Sequence, residues 1–182
     1  MTITCSVFVA VSLDGFIARA NGDIDWLTNA SAASGGEDYG YREFFGSVDA
    51  LVIGRNTYAA ALGFAEWPYL GKKVVVLSSQ SSDILREPLM DIEILSGSPV
   101  DVLHRLSDAG AAHVYVDGGR TIQGFLKAGL IRDMTITRIP ILLGAGIPLF
   151  GPLDRDIQVR HLGTKTYPSG FVQSKYEVAV SA

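Results

Sequence analysis

The sequence predicts a three-layer α/β/α fold, a mixed and mostly parallel sheet that finishes in an antiparallel hairpin. Three observations point there. Apolar β-branched runs alternate with helix-like segments through the first three quarters of the 182 residues. Runs such as Val74-Val75-Val76-Leu77 are apolar without interruption, as strands covered on both faces are. The last stretch changes rhythm: Ile157–Thr166 and Phe171–Val180 flank Tyr167-Pro168-Ser169-Gly170, a turn signal between two strands.

Taken in order, the expected strands are Ile3–Val11, Ala50–Ile53, Lys73–Leu77, Ile92–Leu95, His113–Val116 and Met134–Ile139. Helices are expected over Asp38–Phe45, from about Arg55, after Ser98-Pro99, and over Arg120–Ala128. Ser98 is suited to an N-cap and Pro99 to the first helical position. Val100, Leu103 and Leu106 then share one face, and Gly110 can close the helix in a left-handed conformation. Ile122, Phe125 and Leu126 do the same before Gly129. Gly144-Ala145-Gly146 precedes Ile147-Pro148 and reads as a flexible turn.

Composition narrows the function. With 48% hydrophobic and 19% charged residues, residues 1–182 read as one packed domain. A net charge of -4 argues against a general nucleic-acid binder, which needs surplus cations. Cys5 is the only cysteine and sits in an apolar run, so it reads as a buried thiol. His104, His113 and His161 are scattered, and no metal site is expected. The chain opens on a strand with no basic leader and no apolar run of spanning length, so no membrane partner and a cytoplasmic location are expected.

The chemistry should lie beyond the carboxyl ends of the strands, where open α/β sheets bind ligands. Leu51-Val52-Ile53 runs into Gly54-Arg55-Asn56-Thr57, where glycine allows close approach and a helix start offers N–H groups to an anion. Arg55 adds a fixed positive charge. Val74–Leu77 ends in Ser78-Ser79-Gln80, and His113–Val116 ends in Asp117-Gly118-Gly119-Arg120-Thr121. Three such junctions in one sheet predict an anionic cofactor. There is no G-x-G-x-x-G, so the ordinary dinucleotide fingerprint is missing.

At this point the motifs acquire a family likeness. VDALVIGRNTY (48–58), VVVLSSQ (74–80), VYVDGGRTIQGFL (114–126) and FVAVSLDGFIA…NGDIDW (8–26) resemble, in order, segments of dihydrofolate reductase. SLDG.IA, GG…FL.AGLIRDM and LLGAGIPLF resemble more closely the reductase (RibD C-terminal) domain of riboflavin biosynthesis and its small stand-alone relatives. The resemblance implies a dihydrofolate reductase-like fold and NADPH as cofactor. It puts Ala10 and Ile17 at the nicotinamide end and Gly54, Arg55, Asn56 and Thr57 on the phosphate side. Ser78 and Ser79 fall near the 2′-phosphate, and Gly118, Gly119, Arg120 and Thr121 near the pyrophosphate. It also implies a cis peptide between Gly118 and Gly119. Asp117 departs from the usual glycine or alanine, so its carboxylate is expected to point away from phosphate.

The proton donor implied by the likeness is Asp38, by its spacing from Gly54, with Asp25 as the next candidate. Partial burial would raise the pKa of Asp38. Glu37 and Asp38 also suit a plain helix start. Trp26 is expected in the wall of the substrate pocket or in the core, and Asp14 in a turn before Gly15. The implied reaction is NADPH-dependent reduction of a small heterocycle, of the 5-amino-6-(5-phosphoribosylamino)uracil reductase type, in a possible homodimer. Dihydrofolate reduction is a second reading, and a non-catalytic ligand-binding protein a third. The zinc deaminase signature of the bifunctional relatives is missing.

Overall fold

The computed structural model describes residues 3–32, 35–79 and 91–179. Gln80 and Val180, placed at strand ends above, lie outside them. The strands are β1 (Thr4–Ser12), β2 (Phe16–Ala18), β3 (Ala50–Gly54), β4 (Lys73–Leu77), β5 (Ile92–Leu95), β6 (His113–Asp117), β7 (Asp133–Ile139), β8 (Ile147–Pro148), β9 (Val159–Thr166) and β10 (Val172–Val178). Eight of them form one sheet in the order β5-β4-β3-β6-β1-β7-β10-β9, while β2 and β8 pair separately. β5 through β7 run parallel, and β10 is antiparallel to both β7 and β9. The sheet is mixed and mostly parallel, with the C-terminal antiparallel hairpin that the sequence predicts.

Side-chain alternation sorts this sheet into two cores. Cys5, Val7, Val9 and Val11 share a face with Val52, Val75, Val114 and Val116. That face is covered by α4 (Pro99–Asp108) and α5 (Gly119–Lys127), through residues such as Leu106, Ile122 and Phe125. Leu51, Ile53, Val74, Val76 and Tyr115 face the other way, under α2 (Tyr41–Ser47) and α3 (Arg55–Leu62). Leu51, Ile53 and Phe125 are fully buried, each stabilising the fold by about 1.5–3 kcal/mol through removal from water. Cys5 is buried among them, and the apolar setting pushes its thiol up to about 12, so it is inert.

The local signals act as the sequence predicts where they are strongest. Ser98 Oγ accepts from the Asp101 amide (3.2 Å) while Asp101 Oδ2 accepts from the Ser98 amide (3.1 Å), a capping box that starts α4 at Pro99. Gly110 follows that helix at φ 92°. The helix expected over Asp38–Phe45 begins later, at Tyr41, because Tyr39 (φ 56°) and Gly40 (φ 83°) are left-handed. Two features were not read from the sequence: α1 (Asp25–Ala32), which buries Trp26, and the short β2–β8 strap. Among the described residues, no helix is long and apolar enough to cross a membrane.

Candidate active site

Helices after β3 and β6 leave the sheet on opposite sides, α3 to one face and α5 to the other. Because β3 and β6 are neighbours, a crevice opens between their carboxyl ends, the place where such sheets bind ligands. Glycines let the two helix starts come close together there. A Cβ on Gly54 would stand 3.0 Å from Thr121 Oγ1, and one on Gly118 would overlap Thr57 Oγ1. Gly118 also has φ 94° and ψ 130°, a conformation that only glycine adopts freely. Neither α3 nor α5 has a side-chain cap, so their first N–H groups face the crevice without one. Arg55 and Arg120, both exposed, stand in the first turns of these two helices. Ser78 follows β4, beside β3, and Ser79 next to it is exposed.

The Gly118–Gly119 peptide is trans, correcting the cis bond expected there. The positive φ of Gly118 already turns the chain from β6 into α5, so no isomer is needed to make the turn. Gly119 serves a different close approach. A Cβ there would meet Ile147 Cγ2 at 3.0 Å and Ile17 Cγ2 at 3.2 Å. The β2–β8 strap therefore lies directly on the start of α5, and Gln123 Nε2 fastens it by donating to the Pro148 carbonyl (2.9 Å). Asp14 holds the same loops from the other side, accepting from Ser12 Oγ (2.6 Å) and from the Gly144 amide (2.7 Å). The 144–146 segment thus leads into the strap and is tied at both ends.

Next to the crevice lies a cleft of about 410 Å³. Ala10, Ile17, Asn56, Thr57, Gly118 and Gly119 all line it, so six of the positions expected on the cofactor side meet at one place. Its far wall is aromatic, with Phe8, Tyr39, Tyr41 and Phe171. At its base is Asp117. Its side chain shares the face of Tyr115, two residues earlier on β6, and so turns away from the side covered by α5. Asp117 Oδ1 accepts from the Gly118 amide (2.7 Å), and the Tyr69 hydroxyl lies 3.5 Å from Oδ2. Tyr115 donates instead to the Phe8 carbonyl (2.8 Å). Burial raises the carboxyl of Asp117 above its ordinary value, against the lowering effect of the Gly118 amide and the tyrosine hydroxyls. Burial and the neighbouring Asp117 together raise the hydroxyls of Tyr41, Tyr69 and Tyr115.

The two acids singled out from the sequence are placed otherwise. Asp38 reaches the cleft but spends its carboxylate on backbone, accepting from the Gly40 amide (3.0 Å) and the Arg42 amide (3.2 Å). Those bonds lower its pKa, reversing the expected rise, because the group is open to water rather than buried. Asp25 is exposed and grips Arg19, with Oδ1 2.6 Å from Nε and Oδ2 3.0 Å from Nη2. This pair also lowers its pKa, and Asp25 does not line the cleft. Trp26 is core: it packs with Ile139, Tyr167 and Phe171, and its neighbours Ile24 and Leu27 form the cleft wall in its place. Trp26 Nε1 has no hydrogen-bond partner among the described residues. Asp117 is the acid that spacing arguments miss, although its place two residues after a face-forming tyrosine was readable.

Among the described residues, no three His, Cys, Asp or Glu side chains are grouped to hold a metal ion. The RibD C-terminal domain family matches residues 3–173. The chain belongs to that family. It is 32% identical to the uncharacterised protein YwjB of Bacillus subtilis over 88% of this chain and 90% of that one. A putative riboflavin biosynthesis protein from Shewanella sp. PV-4 superposes with a TM-score of 0.86 at 38% identity, covering 97% of this chain and 99% of that one. Similarity to the riboflavin biosynthesis protein RibD of Mycobacterium tuberculosis is 29% over 76% of this chain but only 42% of that protein. Dihydrofolate reductase from Enterococcus faecalis, complexed with NADP(H), has the same fold, with a TM-score of 0.64 at 14% identity and 96% of each chain covered. Membership makes the chain a reductase-family, oxidoreductase-type protein.

Proposed function

We propose that the protein is an NADPH-dependent reductase of a small planar heterocycle. The observation that carries this reading is the crevice between the carboxyl ends of β3 and β6, where Gly54 and Gly118 let two uncapped helix starts pack closely against Thr121 and Thr57. A pyrophosphate fits the two uncapped helix starts, with Gly118, Gly119, Arg120 and Thr121 on one side and Gly54, Arg55, Asn56 and Thr57 on the other. Arg55, Ser78 and Ser79 suit the 2′-phosphate by charge and short hydroxyl donors. Ala10 and Ile17 then stand where a nicotinamide would lie flat. When bound, NADPH supplies the hydride.

The proton is the part this chain must provide. Asp117 is the acid best suited to hold one, because burial favours its neutral form and it faces the cleft. Asp38 is held as a carboxylate at the rim and suits orientation of a ring N–H. Asp25 keeps the loop after β2 in place through Arg19. Aromatic walls exclude water and stack on a flat substrate. The aminouracil class of the riboflavin relatives and the pterin class are the two to assay. A cytoplasmic location and a homodimer belong to the same reading. β9, exposed along its whole length with Val159 and Leu162 uncovered, is an edge that could serve the dimer.

The test is titration with NADPH and NADH, then loss of NADPH absorbance with each ring class. Binding of NADPH well ahead of NADH, with oxidation by at least one class, supports the reading. No NADPH binding, or binding with no turnover by either class, refutes it.

A further inference from the structure

Building on the reductase reading, we propose that the substrate half of the cleft takes a flat, phosphate-free ring rather than a phosphorylated one. The deciding quantity is charge. Among the described residues that line the cleft there is no lysine, arginine or histidine, and the two carboxyl groups are Asp38 and Asp117. The remaining walls are aromatic, aliphatic or neutral. A phosphate dianion entering here would give up water and find no countercharge. It would also meet Asp38, whose hydrogen bonds from two amides keep it ionised.

Nearby cations do not fill the gap. Arg19 is committed to Asp25 on the outer side of the loop. Arg42 lies 3.8 Å from Asp38, with 88% of its side chain in solvent, so it balances that carboxylate in water. Lys165 and Lys175 line a separate depression behind Phe8 and Tyr39, and the Lys165 ammonium sits 4.5 Å from the centre of the Tyr167 ring. The cofactor side is the opposite, with Arg55 and Arg120 beside two uncapped helix starts. The chain thus sorts its charge: cations where the cofactor's phosphates would lie, and carboxyls with aromatic rings where the substrate would. A neutral ring with N–H donors, such as an aminopyrimidine or pterin, satisfies Asp38 and Asp117 without an uncompensated anion.

A matched pair of ligands decides it. The full chain is titrated by calorimetry, with and without NADPH, using 5-amino-6-ribosylaminouracil and its 5′-phosphate. The expected result is at least about tenfold tighter binding of the phosphate-free member, with the gap narrowing as salt rises and screens the carboxylates. Equal or tighter binding of the phosphate, or no binding of either up to millimolar concentration, overturns the inference. Oxidation of NADPH is followed separately with the same pair. Preference for the phosphate-free member without oxidation would refute the reductase reading and leave the charge inference standing. Preferential oxidation of the phosphorylated member would do the reverse.

Discussion

Replacing Gly118 by alanine should damage the protein in two ways that can be measured apart. The first is backbone strain. At φ 94° and ψ 130° an L-residue is forced into a sparsely populated region, at a cost of about 1–3 kcal/mol. The second is crowding. The new Cβ would overlap Thr57 Oγ1, while Thr57 Cβ, at 3.5 Å, is at ordinary contact distance. Relieving the overlap by shifting Thr57 or the start of α5 costs about 1–3 kcal/mol more. The total of about 2–6 kcal/mol should lower the melting temperature by about 4–24 °C in a chain of this size. Thr57→Ala removes the overlapping oxygen but leaves the strain, so the double variant should recover only the crowding part. Urea unfolding of the parent, both single variants and the double variant measures that coupling. A Gly118→Ala variant within about 0.5 kcal/mol of the parent would refute the account, as would strictly additive effects.

Four further outcomes follow from the site. Arg55→Ala should weaken NADPH binding by about 1.5–3 kcal/mol and NADH binding far less, measured by titration with both; equal losses would remove Arg55 from the 2′-phosphate. Asp117→Asn should lower turnover about 10²–10⁴-fold while leaving NADPH affinity near the parent's, read from steady-state kinetics. Because burial raises the Asp117 carboxyl, its neutral form contributes stability that is full below the ordinary value of 3.8 and is lost as pH rises through the raised one. The Asn variant should therefore gain on the parent in melting temperature as pH is raised from acid to neutral, and a constant gap would refute the shift. Asp25→Asn should leave turnover within a few-fold of the parent, since Asp25 is exposed, pairs with Arg19 and does not line the cleft; a loss of about 10²-fold would return it to the chemistry.

How much of this was legible varies with the physics behind each signal. Strands β4 and β5 were read to the residue: β4 carries the uninterrupted apolar run Val74–Leu77, and β5 is a short β-branched segment with Glu93 inside it, bounded by Asp91 and Ser96. The start of α4 was equally clear, since Ser98 and Pro99 agree, and Leu103 and Leu106 are buried as expected; Val100 is exposed instead, and Val102 takes its place in the core. α1 escaped because it buries only Trp26 and leans on tertiary packing against Ile139, Tyr167 and Phe171. The β2–β8 strap escaped because it pairs residues about 130 apart over two or three positions, too short for periodicity to register. The glycines at 54 and 118 were flagged by their place after strands. That Thr121 and Thr57 are the groups they make room for depends on the crossing of two helices, which sequence spacing does not carry.

The acids separate sequence distance from chemical environment most clearly. Asp38 was selected by its separation from Gly54, and it does reach the cleft. Its surroundings are nevertheless those of a helix start, where two amides and open water favour the ionised form. Asp117 was read as an obstacle to a phosphate, and alternation along β6 resolves the conflict. The residue two places after Tyr115 must share its face, while α5, carrying Arg120, packs on the opposite one. The same chain step can therefore put a carboxyl against the substrate side and helix N–H groups toward an anion, with Gly118 as the only residue between Asp117 and the helix. Burial then moves the carboxyl toward the neutral form that a proton donor needs. A glycine or alanine at 117 would give the same turn without that acid.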